Sequence, residues 1–249
     1  MEAYTDFAKV YAEIMEDIPY RKWLGFIRRT LKKQGIADGL MLDLACGTGE
    51  MTRRLRDCGY DMIGVDASMD MLGQASAEDS DGILYLNQDM RSFELYGTVR
   101  AIVSVCDSMN YLLTYEDLVQ VLKLANNYLD PGGIFIFDLK TVHFYRDIMK
   151  DSVDGQNYED CSYIWQNAYD PENRINEYDL TLFLKEGDTY RKSEEIHYQR
   201  AYTLREVRKA VRESGMEFLK AVDEEGYGPV SRRTERMFIL AKEKGKREY

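Results

Sequence analysis

The sequence predicts an α/β fold in which helices cover both faces of a mostly parallel sheet. Short apolar runs alternate with amphipathic segments over most of the chain, and this alternation is typical of strand–helix repeats. A glycine-rich turn directly follows the first apolar run, in "LMLDLACGTGE" at 40–50, as in open α/β sheets that bind ligands at strand ends. With 249 residues, of which 45% are hydrophobic, the chain is long enough to bury one core of this type.

Five buried strands and two helices are predicted before residue 140. Each strand is a short, almost continuous apolar run, and the runs lie at 40–46, 61–67, 82–88, 101–106 and 133–139. The first helix is predicted over 50–59, where Gly59 is a natural stop. The second begins after Thr114, a favourable N-cap, and ends before Pro131 and the two glycines that follow it.

A different pattern follows residue 155. Three aromatic-rich segments alternate with period two, which predicts three antiparallel strands; they lie at 162–170, 174–186 and 188–202. We expect residues 151–200 to form an inserted antiparallel β subdomain, and residues 1–150 and 201–249 to form the main domain.

The end of the chain returns to the α/β pattern. Residues 203–215 predict a helix, in which Thr203 and Glu206 form a capping box and Gly215 is the stop. Two apolar runs at 216–222 and 235–243 supply the last strands.

Charge argues against a nucleic-acid partner. The chain carries 33 basic and 44 acidic side chains, a formal net charge of −11, whereas proteins that grip nucleic acid usually present a basic face. We therefore expect no DNA partner, and RNA is disfavoured as well. A local basic patch within an acidic total keeps RNA open as an alternative.

Cysteine use and hydropathy indicate a cytoplasmic protein without a bound metal. The four cysteines have no C-x-x-C spacing and are too few for a disulfide framework. The N-terminus has acidic residues throughout and no signal-peptide pattern. No apolar stretch approaches the length of a membrane span, so we expect no membrane contact.

The glycine turn at 47–49 indicates a ligand, and the charge beside it indicates which one. A third glycine is missing and no G-K-[ST] follows, so neither a dinucleotide fingerprint nor a P-loop is present. Asp43 and Glu50 flank the turn, and at a partly shielded separation of about 4 Å two like charges repel by about 4 kcal/mol. The turn therefore favours a cation over a pyrophosphate, and S-adenosylmethionine presents an ammonium group and a sulfonium. The alternative is that Asp43 only caps the amides of the turn.

Two further carboxylates follow the next strands. Asp66 ends the second strand, where a carboxylate accepts ribose hydroxyls in both NAD and S-adenosylmethionine sites. Asp89 and Met90 end the third strand and offer an acceptor for the adenine amino group beside an apolar side chain. A helix N-cap is an equally good interpretation of Asp89. All these residues fall at the carboxyl ends of strands, where open α/β sheets bind ligands.

The motifs "LDLACGTG", "GVDAS", "NQDM" and "LDPGG" resemble those of class I S-adenosylmethionine-dependent methyltransferases. The segment "PYRKWLGFIRRTLKKQG" is similar to small-molecule N-methyltransferases, among them glycine and dTDP-aminosugar N-methyltransferases. The resemblance implies a Rossmann-like, doubly wound sheet of seven strands with the last strand antiparallel. It implies S-adenosyl-L-methionine as cofactor and S-adenosyl-L-homocysteine as product. Ala45 departs from the family, in which many members carry glycine. Besides Asp43, Asp66, Asp89 and Met90, the cofactor-binding residues predicted on this basis are Tyr11, Trp23, Ala45, Cys46, Gly47, Gly49, Ala67, Met71, Cys106 and Asp107.

The resemblance also implies an N-terminal helical lid over residues 1–35. Tyr4, Phe7, Tyr11 and Trp23 match positions that cover the methionine end of the cofactor in relatives, and aromatic faces suit a sulfonium. The alternative is an ordinary core stripe made by the first three of them, and for Phe7 we prefer that alternative.

The predicted reaction is methyl transfer by in-line displacement to a small-molecule acceptor, with an amine nitrogen as the first hypothesis. Asp107 and His143 are the candidate bases, the latter because histidine titrates near neutral pH. Candidates for acceptor binding are Asn110, His197, Tyr198 and Arg232. The alternative is a cross-strand surface partner for His197, packing of the small sheet on the main one for Tyr198, and a solvated loop position for Arg232. The inserted sheet is expected to roof the acceptor pocket with aromatic side chains, at positions 163, 165, 178, 190 and 198.

Other functions remain open at this point. A dinucleotide oxidoreductase is disfavoured by Asp43 and the missing glycine. An RNA or protein methyltransferase, and a non-catalytic S-adenosylmethionine-binding module, keep the same cofactor motifs. We expect a monomer or a homodimer.

Overall fold

A computed structural model describes residues 6–78, 82–224 and 227–246; Tyr4 lies outside these ranges. Its helices are α1 (Asp6–Ile14), α2 (Tyr20–Lys33), α3 (Glu50–Arg56), α4 (Met69–Ala77), α5 (Tyr115–Tyr128) and α6 (Leu204–Glu213), with a 3₁₀ helix at Ser108–Tyr111 and a π-helix at Phe144–Met149. None of the helices within these ranges combines the length and apolar character needed to cross a membrane.

Seven strands form the main sheet, and the prediction of a mostly parallel sheet whose last strand is antiparallel is confirmed. They are β1 (Gly39–Leu44), β2 (Tyr60–Asp66), β3 (Leu84–Asn87), β4 (Val99–Ser104), β5 (Leu129–Lys140), β10 (Glu217–Asp223) and β11 (Arg236–Lys242). Their order across the sheet is β10-β11-β5-β4-β1-β2-β3. Strand β11 pairs antiparallel with both β5 and β10, so its first residues lie at the edge where the parallel strands end.

Apolar side chains cover both faces of this sheet. On one face α5 and α6 bury residues such as Leu118 and Val207 against β4 and β5. On the other face α2 and α3 bury Trp23, Ile27 and Leu55. The predicted helix starts are present, since Thr114 accepts from the Asp117 amide and Thr203 forms its capping box with Glu206. The two helical layers therefore cover both faces of the sheet. The edge at which the parallel strands end is where a ligand site is expected.

A second sheet lies between β5 and α6 and contains four strands where we expected three. Strands β7 (Cys161–Asp170), β8 (Ile175–Glu186) and β9 (Thr189–Arg200) match the predicted segments, and β6 (Val153–Asn157) is the additional one. Strand β6 pairs only with β7, and all five of its residues are exposed. The sequence "VDGQN" lacks the alternation of a half-buried strand, so backbone pairing at an edge accounts for it rather than side-chain burial.

The second sheet packs against the N-terminal helix α1. Phe7 is buried among Cys161, Tyr163 and Leu180, which agrees with the core interpretation of Phe7. Asp6 binds the guanidinium of Arg191 at 2.8 Å. Helix α1 is thus held between the second sheet and the carboxyl edge of the main sheet.

Two glycines give a matched test of how tightly the glycine turn packs on β2. A Cβ added to Gly64 would lie 2.6 Å from the Tyr85 ring and 2.9 Å from the Cys46 sulfur, whereas one added to Gly73 in α4 would meet nothing within 4 Å. We expect Gly64→Ala to lower the free energy of unfolding by about 1–3 kcal/mol through overpacking. Gly73→Ala should raise it by about 0.5–1 kcal/mol. Urea denaturation measures the free energy of unfolding of both variants. Equal changes in the two would contradict the close packing around Gly64.

Candidate active site

A cavity of about 510 Å³ opens at the carboxyl ends of β1, β2, β3 and β4. Tyr11 from α1 and Tyr20 from α2 also line it. Most of the residues predicted to bind the cofactor line this one cavity, namely Tyr11, Asp43, Ala45, Cys46, Gly47, Asp66, Ala67, Met71, Asp89, Met90 and Cys106. Gly49, Trp23 and Asp107 are not among the lining residues.

The glycine turn takes a left-handed path beside the cavity. Ala45, Gly47 and Gly49 all have positive φ, of 60°, 54° and 75°. Glycine adopts this region without strain, and Ala45 does so at a cost. Gly49 begins α3, and a Cβ there would lie 2.5 Å from the Tyr85 hydroxyl. Gly49 therefore shapes the turn from behind the cavity wall.

Asp66 is locked in place by the turn. Its two carboxylate oxygens accept from the amides of Gly47 and Ser68, each at 2.8 Å. Burial raises the pKa of Asp66, while these amide hydrogen bonds lower it in part. Each oxygen keeps a lone pair for a further donor, so the side chain is positioned to accept vicinal hydroxyls.

Asp43 is the most deeply buried carboxylate of the cavity. It is 1% exposed and accepts a hydrogen bond from the Thr52 hydroxyl at 2.6 Å. Burial raises its pKa to about 7, the charge of Asp66 adds to the rise, and the Thr52 hydrogen bond opposes it. An ammonium group bound at Asp43 would reverse this shift, because an opposite charge favours the ionised carboxylate.

Asp89 is bound to its neighbour in the chain. The Arg91 amide and guanidinium both donate to it, the latter at 2.5 Å at its closest, and the hydrogen bonds of Arg91 hold the pKa of Asp89 below its usual value. Residues 90–92 after Asp89 form a turn and no helix begins there, so the interpretation of Asp89 as a helix N-cap is wrong. Beside Asp89, Met90 and the buried Met71 give the cavity an apolar wall suited to a purine ring.

The aromatic lid positions divide between the cavity and the core. The Tyr11 hydroxyl lies 3.6 Å from the Cys106 sulfur at the cavity wall. Trp23, by contrast, is 1% exposed, donates from Nε1 to Glu224 at 2.9 Å and lies under the Arg236 guanidinium. The structure thus places Trp23 beneath a charged cluster and outside the cavity.

That charged cluster contains the first candidate base, Asp107. The Arg236 guanidinium contacts Asp107 at 2.8 Å and also Asp138, and Gln199 donates to Asp107 at 2.9 Å. Although burial alone would raise it, the pKa of Asp107 is lowered by the charges of Lys140 and Arg236. A carboxylate held ionised among three donors is a weak proton acceptor, so Asp107 acts as the anchor of an ion-pair cluster.

The other acceptor-side candidates lie apart from the cavity. His143 bonds to Asp147 at 2.8 Å in the π-helix region. Asn110 is fully buried and ties the backbone of Lys140 to that of Arg200. Tyr198 is 42% exposed, and Arg232 is exposed in the turn before β11. None of these four lines the cavity in the described part of the chain.

His197 differs from them, because it is buried and bonds to the cavity wall. Its Nδ1 lies 3.2 Å from the hydroxyl of Tyr111, a lining residue, and its Nε2 lies 3.2 Å from Glu195. Sequence reasoning missed Tyr111, Glu195, Gln199, Arg236 and Tyr20. For Arg236 a signal existed: an antiparallel last strand begins where the parallel strands end.

The fold and the cavity together define a class I S-adenosylmethionine-dependent methyltransferase. Its lining suits this cofactor in chemistry: Asp43 offers a carboxylate for an ammonium, Asp66 for ribose hydroxyls, and Met71 and Met90 an apolar wall for adenine. Arg91 donates to both oxygens of Asp89, so Asp89 would accept from the adenine amino group only through its remaining lone pairs. The residues present therefore fit the cofactor that the sequence predicts, and this cofactor assignment is confirmed.

Comparison with known proteins gives the same family. The model of a methyltransferase domain matches residues 41–133. The Bacillus subtilis protein YqeM, which is named as a methyltransferase, is 34% identical over 96% of each chain. A glycine/sarcosine N-methyltransferase of Halorhodospira halochloris is 27% identical over 81% of this chain and 80% of its own. The crystal structure of an S-adenosylmethionine-dependent methyltransferase from Clostridium acetobutylicum superposes with a TM-score of 0.86 at 27% identity, covering 98% of this chain and 100% of that one. The chain belongs to the S-adenosylmethionine-dependent methyltransferases, and its resemblance to small-molecule N-methyltransferases is confirmed.

The raised pKa of Asp43 makes a prediction about pH. Below a pKa of about 7 the carboxyl is neutral and offers no charge to an ammonium. We expect affinity for S-adenosylhomocysteine to rise several-fold between pH 6 and pH 7.5, as Asp43 ionises. Calorimetric titration across this range measures it. Asp43→Asn should flatten the profile, and an unchanged slope in that variant would show that Asp43 does not hold the ammonium.

Proposed function

We propose that this enzyme transfers a methyl group to the amine nitrogen of a small molecule. The observation that carries the proposal is the charge of the cavity. Within the described ranges its charged lining residues are Asp43, Asp66, Asp70, Asp89 and Arg91, and Arg91 is paired with Asp89. Such a lining attracts a cationic amine and repels the phosphates of a nucleic acid. The name of the glycine/sarcosine N-methyltransferase relative, an enzyme acting on amines, adds support.

The protein's part in the reaction is to position and to exclude water. When bound, the cofactor supplies an electrophilic methyl group on a positively charged sulfur. Asp43 would hold the ammonium group of the cofactor and Asp66 its ribose hydroxyls, and Tyr11 and Tyr20 also line the cavity. Alignment of an attacking nitrogen with the methyl group can supply roughly 7–11 kcal/mol of the barrier.

We infer that residues 151–200 serve as the acceptor-side subdomain. The lining residues of the described cavity do not come from β6 to β9. The contact is indirect: β9 reaches the cavity through His197 and Tyr111. Of the buried aromatic residues of this sheet, Tyr163 packs in the cluster that contains Phe7 of α1, and Tyr178 packs with Tyr145 and Ala201.

The test is a comparison of acceptor classes under one assay. The purified protein is incubated with methyl-labelled S-adenosylmethionine and, separately, with simple primary and secondary amines, total RNA and an unfolded peptide mixture. We expect label on amines and none on RNA or peptides. Labelled RNA would show that the enzyme is an RNA methyltransferase. Cofactor binding without any labelled product would indicate a non-catalytic binding module.

A further inference from the structure

Behind the cavity wall, three side chains form a buried chain of hydrogen bonds. The Tyr111 hydroxyl lies 3.2 Å from His197 Nδ1. On the other side of the ring, Nε2 lies 3.2 Å from one oxygen of Glu195. The second Glu195 oxygen accepts from the Phe7 amide at 2.9 Å. The series therefore runs from a cavity-lining phenol to a carboxylate anchored on the lid helix α1.

This arrangement is unusual in its burial. Glu195 is 1% and His197 4% exposed, whereas their strand neighbours Ile196 and Tyr198 are 47% and 42% exposed. Over residues 195–198, strand β9 thus turns Glu195 and His197 inward and Ile196 and Tyr198 outward. Burying a carboxylate and an imidazole is costly unless they are mutually bonded, and burial of the reverse face would avoid the cost. Here Glu195 and His197 bond to each other and to the Phe7 amide and the Tyr111 hydroxyl, and these hydrogen bonds offset the cost.

The hydrogen bonds select a tautomer. Glu195 already accepts from the Phe7 amide, and as a carboxylate it also accepts from His197 Nε2–H. His197 Nδ1 then carries the lone pair and accepts from the Tyr111 hydroxyl. A phenol oxygen that donates its proton to His197 still carries acceptor lone pairs, and Tyr111 lines the cavity.

We propose that Tyr111 is the catalytic base for the amine acceptor and that His197 and Glu195 are its positioning and proton-storing partners. The inference rests on the proposed function, since only an acceptor that arrives as an ammonium needs a base. The ammonium gives one proton to the Tyr111 oxygen while the Tyr111 proton passes to His197 Nδ1. The freed nitrogen lone pair forms the N–CH₃ bond as the S–CH₃ bond breaks and its electron pair stays on sulfur. The proton remains on an imidazolium paired with Glu195.

The surroundings of His197 support this role. Glu195 faces it from β9, Tyr111 from the 3₁₀ helix, and Tyr178 lies opposite on β8. The Phe7 ring packs edge-on against the imidazole. Glu195 thus offers His197 Nε2 a hydrogen-bond acceptor on the side of the ring away from Tyr111.

The experiment measures how kcat for amine methylation depends on pH in Tyr111→Phe and His197→Gln. The probes are glycine, sarcosine and a panel of simple primary and secondary amines. At pH 7 we expect a loss of roughly 100-fold or more in both variants, the usual contribution of a base. Toward pH 9.5 the loss should shrink at least about tenfold, because the free amine fraction rises as the pH nears the pKa of an alkyl amine. A purely structural role would give a loss independent of pH.

Controls separate the possible causes. Tyr96→Phe alters a fully exposed tyrosine and should keep the wild-type profile. Tyr111→Phe and His197→Gln should both bind S-adenosylhomocysteine within about threefold of wild type, which would show that the cofactor cavity is intact. A loss that is constant with pH, or no loss, overturns the base assignment while the amine function stands. If the wild-type enzyme methylates none of the amines, the proposed function itself fails.

Discussion

Replacement of Asp66 by alanine is expected to weaken binding of S-adenosylhomocysteine by roughly 100-fold or more. The carboxylate would accept two ribose hydroxyls, and each hydrogen bond to a charged group contributes about 1.5–3 kcal/mol. The variant also removes the acceptor of the Gly47 and Ser68 amides, so the hydrogen bond that holds the glycine turn against β2 is lost. Isothermal titration calorimetry measures the effect.

A matched control lies on the same strand. Asp61 is exposed at the other end of β2, and Asp61→Ala should bind as tightly as wild type. If Asp66→Ala also binds within threefold of wild type, the ribose assignment is wrong. A parallel titration with NADH should show no binding, since the turn lacks the third glycine of a dinucleotide site.

Arg236→Ala is expected to lower the free energy of unfolding by about 3–5 kcal/mol. Loss of one partner from a buried ion pair leaves the other charge uncompensated. Here three carboxylates lose a partner, since Arg236 contacts the buried Asp107 and Asp138 and also the partly exposed Glu224. Even with arginine present, burial raises the pKa of Asp138 to about 6.

The loss of stability in Arg236→Ala should depend on pH in one direction. Without Arg236 the folded-state pKa values of both buried carboxyls rise above the unfolded value of about 3.9, so the folded variant binds more protons than the unfolded chain. Its stability therefore increases as the pH falls, and the deficit relative to wild type should narrow from pH 8 to pH 5. Urea unfolding at these pH values measures it. Arg233→Ala, at an exposed position, should change stability by less than about 0.5 kcal/mol. If the stability difference between Arg236→Ala and wild type widens as the pH falls, Arg236 does not stabilise the ionised forms of these carboxylates.

The cofactor side of the site was predictable because parallel strands end at one edge of a sheet. Asp43, Asp66 and Met90 each follow or end an apolar run, and strand order alone brings them together. No such rule applies to Trp23. Its position within a helix left two orientations, and the structure turns it to the core, where Glu224 and Arg236 partner it.

The acceptor side was less predictable, because a period-two pattern does not state which face is buried. In "EEIHYQR" the usual rule buries Ile196 and Tyr198, yet the structure buries Glu195 and His197. The polar face is accepted because α1 and the 3₁₀ helix supply its hydrogen-bond partners. Those partners lie more than 80 residues away in sequence, so a local pattern could not reveal them.

Transfer of a labelled methyl group to a labelled nitrogen tests the central claim most directly. The small-molecule fraction of cells grown on ¹⁵N is incubated with the enzyme and S-adenosylmethionine carrying a ¹³C methyl group, and the product is observed by ¹³C NMR. The account predicts a new methyl signal split by one-bond coupling to ¹⁵N. A new methyl signal without that splitting would place the methyl group on oxygen, sulfur or carbon and contradict the amine assignment.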